Sequence, residues 1–208
     1  MAGVVVITDC DHDGVDPERA ALDGHDVELR VLACRTSEEV AAQAGDADVL
    51  INQYVPITAA VLDALPRCRL VVRYGVGVDN VDVQAAAERG VWVANVPDYG
   101  RDEVADHTLA LAMALLRGVA VLDRSVRDGT WGLEAARPLR RLSVLTWGVV
   151  GCGAIGAAVA GRAAGLGMRV LGYDLPQVRS EPPIERVGLE VLLESADLVS
   201  LHAALTAE

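Results

Sequence analysis

One short run constrains this chain more than any other: Gly151-Cys152-Gly153-Ala154-Ile155-Gly156. Taken alone, G-x-G-x-x-G is a weak pattern. Here it follows the apolar run Thr146-Trp147-Gly148-Val149-Val150 and opens a helix-like stretch from Ala154 to Ala164. Asp174 then stands 18 residues after Gly156, at the end of the next apolar run. Strand, glycine turn, helix, strand and acid in that order form the context a dinucleotide fingerprint requires. Gly151 permits the tight turn, Gly153 lets the backbone approach a pyrophosphate, and Gly156 lets helix and strand pack closely. The helix start offers free N–H groups and a positive dipole end to phosphate. Asp174 is expected to accept hydrogen bonds from the adenosine ribose diol and to repel a 2′-phosphate, which favours NAD over NADP. A Rossmann-type enzyme using adenosylmethionine also fits Asp174.

The rest of the chain repeats the same alternation. Val4–Ile7, Val27–Leu32, Val49–Ile51, Leu70–Val72 and Val91–Ala94 are short apolar runs separated by helix candidates. Thr36 with Glu39 reads as a capping box, Thr58 caps a helix that Pro66 stops, and Asp82 caps one that ends at Gly90. Such alternation predicts parallel sheets covered on both faces. The fold class is therefore α/β, with two Rossmann-like or flavodoxin-like lobes. The first lobe is assigned to residues 1–98. The second, a nucleotide-binding lobe, spans 99–208 and is entered through a long helical link at 102–128. A third strand-like run, 184–187, and a fourth, 197–201, extend the second sheet.

Composition narrows the function. With 30 acidic and 18 basic residues the net charge is -12, which argues against nucleic acid and anionic membrane as partners. All basic residues are arginine, so Schiff-base chemistry and a P-loop lysine are excluded. No signal peptide or membrane-length apolar run is legible, and Cys10, Cys34, Cys68 and Cys152 form no C-x-x-C, so a cytoplasmic location with reduced thiols is expected. Asp9-Cys10-Asp11-His12-Asp13 resembles a metal cluster but reads as loop polarity, so no metal is expected. Trp131 and Trp147 read as core or interface anchors, and Arg140-Arg141 as a solvated patch.

A second glycine cluster is Arg73-Tyr74-Gly75-Val76-Gly77-Val78-Asp79-Asn80. Its spacing leaves two readings open. Free backbone N–H groups could form an anion nest with Arg73 as a bidentate fork, or the segment is a structural loop with a surface arginine.

Ordered blocks carry a family resemblance: Arg73 to Asp82, Gly90 to Pro97, Val104-Ala105-Asp106-His107-Thr108-Leu109, the fingerprint ending in Tyr173-Asp174, and Ala196 to His202. The chain resembles the D-isomer-specific 2-hydroxyacid dehydrogenases, nearest the branch that includes the C-terminal binding protein corepressors. The resemblance implies hydride exchange between NAD and a small 2-hydroxy or 2-oxo acid. It places the substrate carboxylate on backbone at Val76 and Gly77 with Arg73 beside them, and Thr108 near the nicotinamide. It places Gly151, Cys152, Gly153, Ala154, Ile155 and Gly156 around the pyrophosphate and Asp174 on the ribose. His202, Ala203, Ala204 and Thr206 would border the adenosine. It also implies a homodimer built on the helical link. Ala154 departs from the family, which often has a basic or polar residue there. The family's arginine, glutamate and proton-donating histidine have no counterpart before Glu208, so no catalytic residue is assigned. His107 reads as a helix-surface residue. The expectation is a truncated chain with an incomplete nucleotide lobe, poorly stable and inactive alone. The alternative is a non-catalytic, NAD-responsive binding module of corepressor type.

Overall fold

The computed structural model describes residues 2–175 and 184–203. It divides into two compact units, Met1–Tyr99 and Gly100–Glu208.

In the first unit, β1 (Gly3–Ile7), β2 (Val27–Val31), β3 (Val49–Asn52), β4 (Leu70–Arg73) and β5 (Trp92–Asn95) alternate with α1 (Asp16–Leu22), α2 (Ser37–Gln43), α3 (Ala59–Ala64) and α4 (Val83–Glu88). All pairings are parallel, in the order β2-β1-β3-β4-β5. This is the flavodoxin-like order, and its switch point falls between β1 and β3. Val6, Leu50 and Val71 are sealed in one core with Val40 of α2, Val61 of α3 and Ala86 of α4, whereas Val49, Ile51, Leu70 and Val72, which alternate with them toward the other face, are only partly buried, so the expected cover on both faces is complete on one alone. The caps form at Thr58, which accepts the Val61 N–H, and at Asp82, which accepts the Ala85 N–H at 2.9 Å. Thr36 accepts the Glu39 N–H, but Glu39 reaches back to the Arg35 N–H rather than to Thr36. The capping box is thus displaced by one residue.

The second unit begins with α5 (Arg101–Leu116) and α6 (Val119–Arg127), then β6 (Thr146–Val150), α7 (Ala154–Gly165), β7 (Arg169–Tyr173), β8 (Glu185–Arg186), α8 (Leu189–Ser195) and β9 (Leu198–Leu201). Its strands are parallel in the order β8-β7-β6-β9. The link expected at 102–128 is two helices: Gly118, at φ 63°, breaks it where Ala136 crowds the backbone. Small residues let α5 and α7 share one core, with Ala105 and Ala112 clustered with Val159, Ala160 and Ala163. Arg162 of α7 fastens that pair by bonding Asp106 at 2.6 Å and Asp102 at 3.2 Å. Trp147 is fully buried, whereas Trp131 is 91% exposed in the turn after α6 and anchors no core in the described chain. Arg140 is not merely solvated; it pairs with Asp197, which also accepts the Thr146 N–H. No helix among the described residues is long and apolar enough to cross a membrane.

Candidate functional site

The glycine turn of the second unit is built by close approach. Gly151 has φ 88°, and a Cβ there would lie 2.4 Å from the Ala203 nitrogen, so the 202–203 backbone is seated directly against the turn. A Cβ on Gly156 would lie 1.9 Å from the Gly151 carbonyl oxygen, which is how closely α7 meets the end of β6. Gly153 differs: a Cβ on it would meet nothing within 4 Å. It caps α7 with no side-chain hydrogen bond. The N–H groups of Gly153, Ala154 and Ile155 have no acceptor among the described residues. Open space over unpaired N–H groups at a helix start is an anion cradle.

Asp174 stands at the rim of that cradle. Its Oδ2 accepts the Cys152 N–H at 2.6 Å and its Oδ1 accepts the Leu175 N–H at 2.7 Å. Arg186, which sequence reasoning passed over, donates to the Asp174 carbonyl at 2.8 Å and to the Leu175 carbonyl at 3.1 Å. Nothing local to Arg186 signals this role, because it depends on β8 pairing with β7 at Gly172. Cys152 is buried beneath the turn; burial first, then the Asp174 charge, pushes its thiol pKa up, so it is an inert packing group.

His202 and Thr108 share a cavity of about 250 Å³ with Trp147 and Ser200. Thr108 donates its hydroxyl to the Val104 carbonyl at 2.8 Å. Ser200 Oγ accepts the Trp147 indole N–H at 2.9 Å and lies 3.0 Å from His202 Nε2. Burial lowers the His202 pKa. Ala203 is exposed, and Ala204 and Thr206 lie outside the described residues. His107 is exposed on α5.

In the first unit, the loop after β4 is shaped by Arg73. Its guanidinium folds over Gly75 so tightly that a Cβ there, at φ 143°, would lie 1.8 Å from Nη1. The Val76 carbonyl accepts the Asn95 side-chain N–H at 2.7 Å, which pins the loop to β5. The Val76 and Gly77 N–H groups find no acceptor among the described residues, and Arg73 Nε is buried without a partner there. Two free N–H groups and a guanidinium at one turn suit a carboxylate.

Asp9 braces the neighbouring strand end. Its carboxylate accepts the N–H groups of Gln53, Tyr54 and Val55 and the Thr8 hydroxyl. Within the acidic stretch 9–13, Asp9 therefore serves backbone satisfaction, while the Asp11 carboxylate accepts from the Gln53 side-chain amide and the Tyr54 hydroxyl. Among the described residues, no group of three or more His, Cys, Asp or Glu side chains is placed to hold a metal.

Comparison with known proteins follows the same lines. The family model described as D-isomer specific 2-hydroxyacid dehydrogenase, catalytic domain, matches residues 4–208. A glyoxylate reductase of Korarchaeum cryptofilum is 45% identical over 171 residues, covering 78% of this chain and 51% of the relative. A D-3-phosphoglycerate dehydrogenase of Mycobacterium bovis is 37% identical over 200 residues, covering 94% of this chain and 38% of the relative. The chain thus spans about half or less of those relatives. The crystal structure of a D-lactate dehydrogenase from Aquifex aeolicus, complexed with NAD and lactic acid, superposes with a TM-score of 0.86 at 27% identity, covering 97% of this chain and 61% of that one. On the family match over nearly its whole length, this chain belongs to the D-isomer specific 2-hydroxyacid dehydrogenases.

Proposed function

We propose that the protein is an NAD-dependent oxidoreductase that exchanges a hydride between nicotinamide and a small 2-hydroxy or 2-oxo acid. The observation that carries this reading is the open cradle at the start of α7, with Asp174 fixed at its rim. The residues fit the dinucleotide. The N–H groups of Gly153, Ala154 and Ile155 would hold the pyrophosphate, and Asp174 would accept from the adenosine ribose diol. NAD, when bound, supplies the hydride-accepting ring.

The first unit would bind the acid. Its carboxylate would lie on the Val76 and Gly77 N–H groups, with Arg73 neutralising the charge. Fixing the carboxylate orients the carbon that exchanges hydride, which is the positioning share of catalysis. No residue of the chain is assigned the proton transfer that must accompany hydride transfer. The relatives are named as reductases and dehydrogenases, which favours turnover over a purely regulatory role.

A second copy of the chain is the partner we assign to the exposed apolar side chains of α5 and α6, among them Leu111, Leu115 and Val126. Four free cysteines, three of them buried, suit a reducing cytoplasm. Titration with NADH followed by ligand fluorescence tests the central reading. Saturable binding that AMP competes away is expected, and absence of binding overturns it.

A further inference from the structure

Beside the carboxylate loop lies a cavity of about 160 Å³, lined by His12, Gln53, Tyr74, Gly75, Val96 and Tyr99. These residues follow the C-terminal ends of β1, β3, β4 and β5, and Gly75 immediately precedes the unpaired N–H groups of Val76 and Gly77. Whatever is attached to a carboxylate held there has this cavity as its neighbour. A cavity of about 150 Å³ accommodates benzene, so the volume admits a group of a few heavy atoms.

The lining decides the chemistry. Gln53 is 8% exposed, and both hydrogens of its amide nitrogen are committed, to Asp11 Oδ1 at 2.6 Å and Tyr54 Oη at 3.2 Å. Its Oε1 takes one N–H, from Asp11 at 2.8 Å, and keeps a lone pair. Tyr74 donates its hydroxyl to Glu18 Oε1 at 2.7 Å, and its ring meets His12 edge-on at 5.1 Å. Glu18 Oε2 is buried with no partner among the described residues. Behind the lining therefore stand two carboxylates, Asp11 and Glu18. The Tyr54 and Gln53 donors hold the Asp11 pKa below its ordinary range, so Asp11 is anionic at neutral pH. None of the lining residues is an arginine, and the guanidinium of Arg73 lies against Gly75, on the carboxylate loop.

We propose that this cavity selects 2-oxo acids whose substituent is short and uncharged, hydrogen or hydroxymethyl, and rejects those that carry a phosphate. A hydroxymethyl group can donate to the free lone pair of Gln53 Oε1. Among the described residues, a phosphate would come to a place backed by the Asp11 and Glu18 carboxylates, where the His12 ring already lies 3.8 Å from Asp11 and the Arg73 guanidinium is taken by the substrate carboxylate. The inference rests on the oxidoreductase reading and deepens it by naming the substrate class.

The test compares glyoxylate, pyruvate, hydroxypyruvate and 3-phosphohydroxypyruvate as oxidants of NADH by the whole protein. Hydroxypyruvate is expected to exceed its phosphorylated form in kcat/KM by about tenfold or more, as like-charge juxtaposition demands. The gap narrows at high salt and in Glu18→Gln, which keeps an acceptor for Tyr74. Asp11→Asn is a second, independent variant with the same expected direction. Equal or better use of 3-phosphohydroxypyruvate overturns the proposal while leaving the oxidoreductase reading intact. If NADH binds and pyruvate is consumed while glyoxylate and hydroxypyruvate are not, this inference fails and the oxidoreductase reading stands; if NADH binds and no 2-oxo acid is consumed, the oxidoreductase reading fails and this inference falls with it.

Discussion

The carboxylate of Asp174 accepts the backbone N–H of Cys152 at 2.6 Å, tying the end of β7 to the first turn after β6. One carboxylate thus holds the glycine turn in shape and, in the function proposed, would also present acceptors to the ribose. Asp174→Ala removes both. Hydrogen bonds to a charged group are worth about 1.5–3 kcal/mol, so NADH affinity should fall roughly 10- to 100-fold. NADPH should lose less, since the repulsion of its 2′-phosphate disappears with the charge. Parallel titrations with the two nucleotides read the difference, and equal losses for both would show that Asp174 does not select between them.

Two glycines of the fingerprint should behave oppositely. At Gly156 an added methyl would stand 1.9 Å from the Gly151 carbonyl, so Gly156→Ala must push α7 off the sheet. Overpacking of this kind costs about 1–3 kcal/mol, occasionally more, and thermal unfolding should register it. At Gly153 the same methyl meets nothing, and φ −69°, ψ −162° suits alanine. Gly153→Ala should keep its Tm and lose nucleotide affinity, because the methyl fills the space a pyrophosphate needs. A Gly153→Ala protein that binds NADH normally would move the phosphate elsewhere.

The sequence made the cradle legible because glycine spacing and strand–helix alternation are local. Gly151, Gly156 and Asp174 fall within a few residues of the elements that orient them, so pattern and geometry coincide. The roles of Arg186 and Asp9 were illegible for the opposite reason. Arg186 reaches Asp174 only because β8 pairs beside β7, and Asp9 meets residues 53–55 only because β3 lies beside β1. Long-range register decides both, and one sequence carries no record of it. The acidic stretch 9–13 is ambiguous on paper because a carboxylate that caps backbone N–H groups looks the same as one that ligates a cation. Trp131 misleads in a related way, since a large apolar side chain in a turn gives no sign of what covers it.

Asp9 is the first unit's most concentrated polar brace. It satisfies three consecutive backbone N–H groups at a site where Gln53 and Val55 are almost fully buried. Asp9→Ala strands those donors, each unmet buried donor costing about 1–3 kcal/mol before relaxation or water entry. The unfolding midpoint of the first unit should drop markedly. Asp9→Asn, which keeps one acceptor oxygen, should fall between. Added divalent cations should not restore either variant. Recovery on adding a cation would mean that the carboxylate is a ligand rather than a brace.

Ser200 links His202 to Trp147: its oxygen accepts the indole N–H at 2.9 Å and stands 3.0 Å from His202 Nε2, so the three side chains form one hydrogen-bonded chain. Burial lowers the His202 pKa in the fold, whereas the unfolded chain titrates near the ordinary value of about 6.5. Between the lowered folded value and about 6.5 the unfolded state binds more protons, so stability rises with pH across that window. The contribution of His202 is fully present above about 6.5 and is lost as pH falls from there toward and through the folded value. Tm of the second unit should therefore fall on acidification below about 6.5, and His202→Asn should flatten that part of the profile. Trp147 reports the same event, because the charge that His202 gains on protonation sits one hydroxyl away from the indole N–H that Ser200 accepts. A Trp147 emission profile that is flat over this range in the native protein, or identical in His202→Asn, would break the link between the three residues.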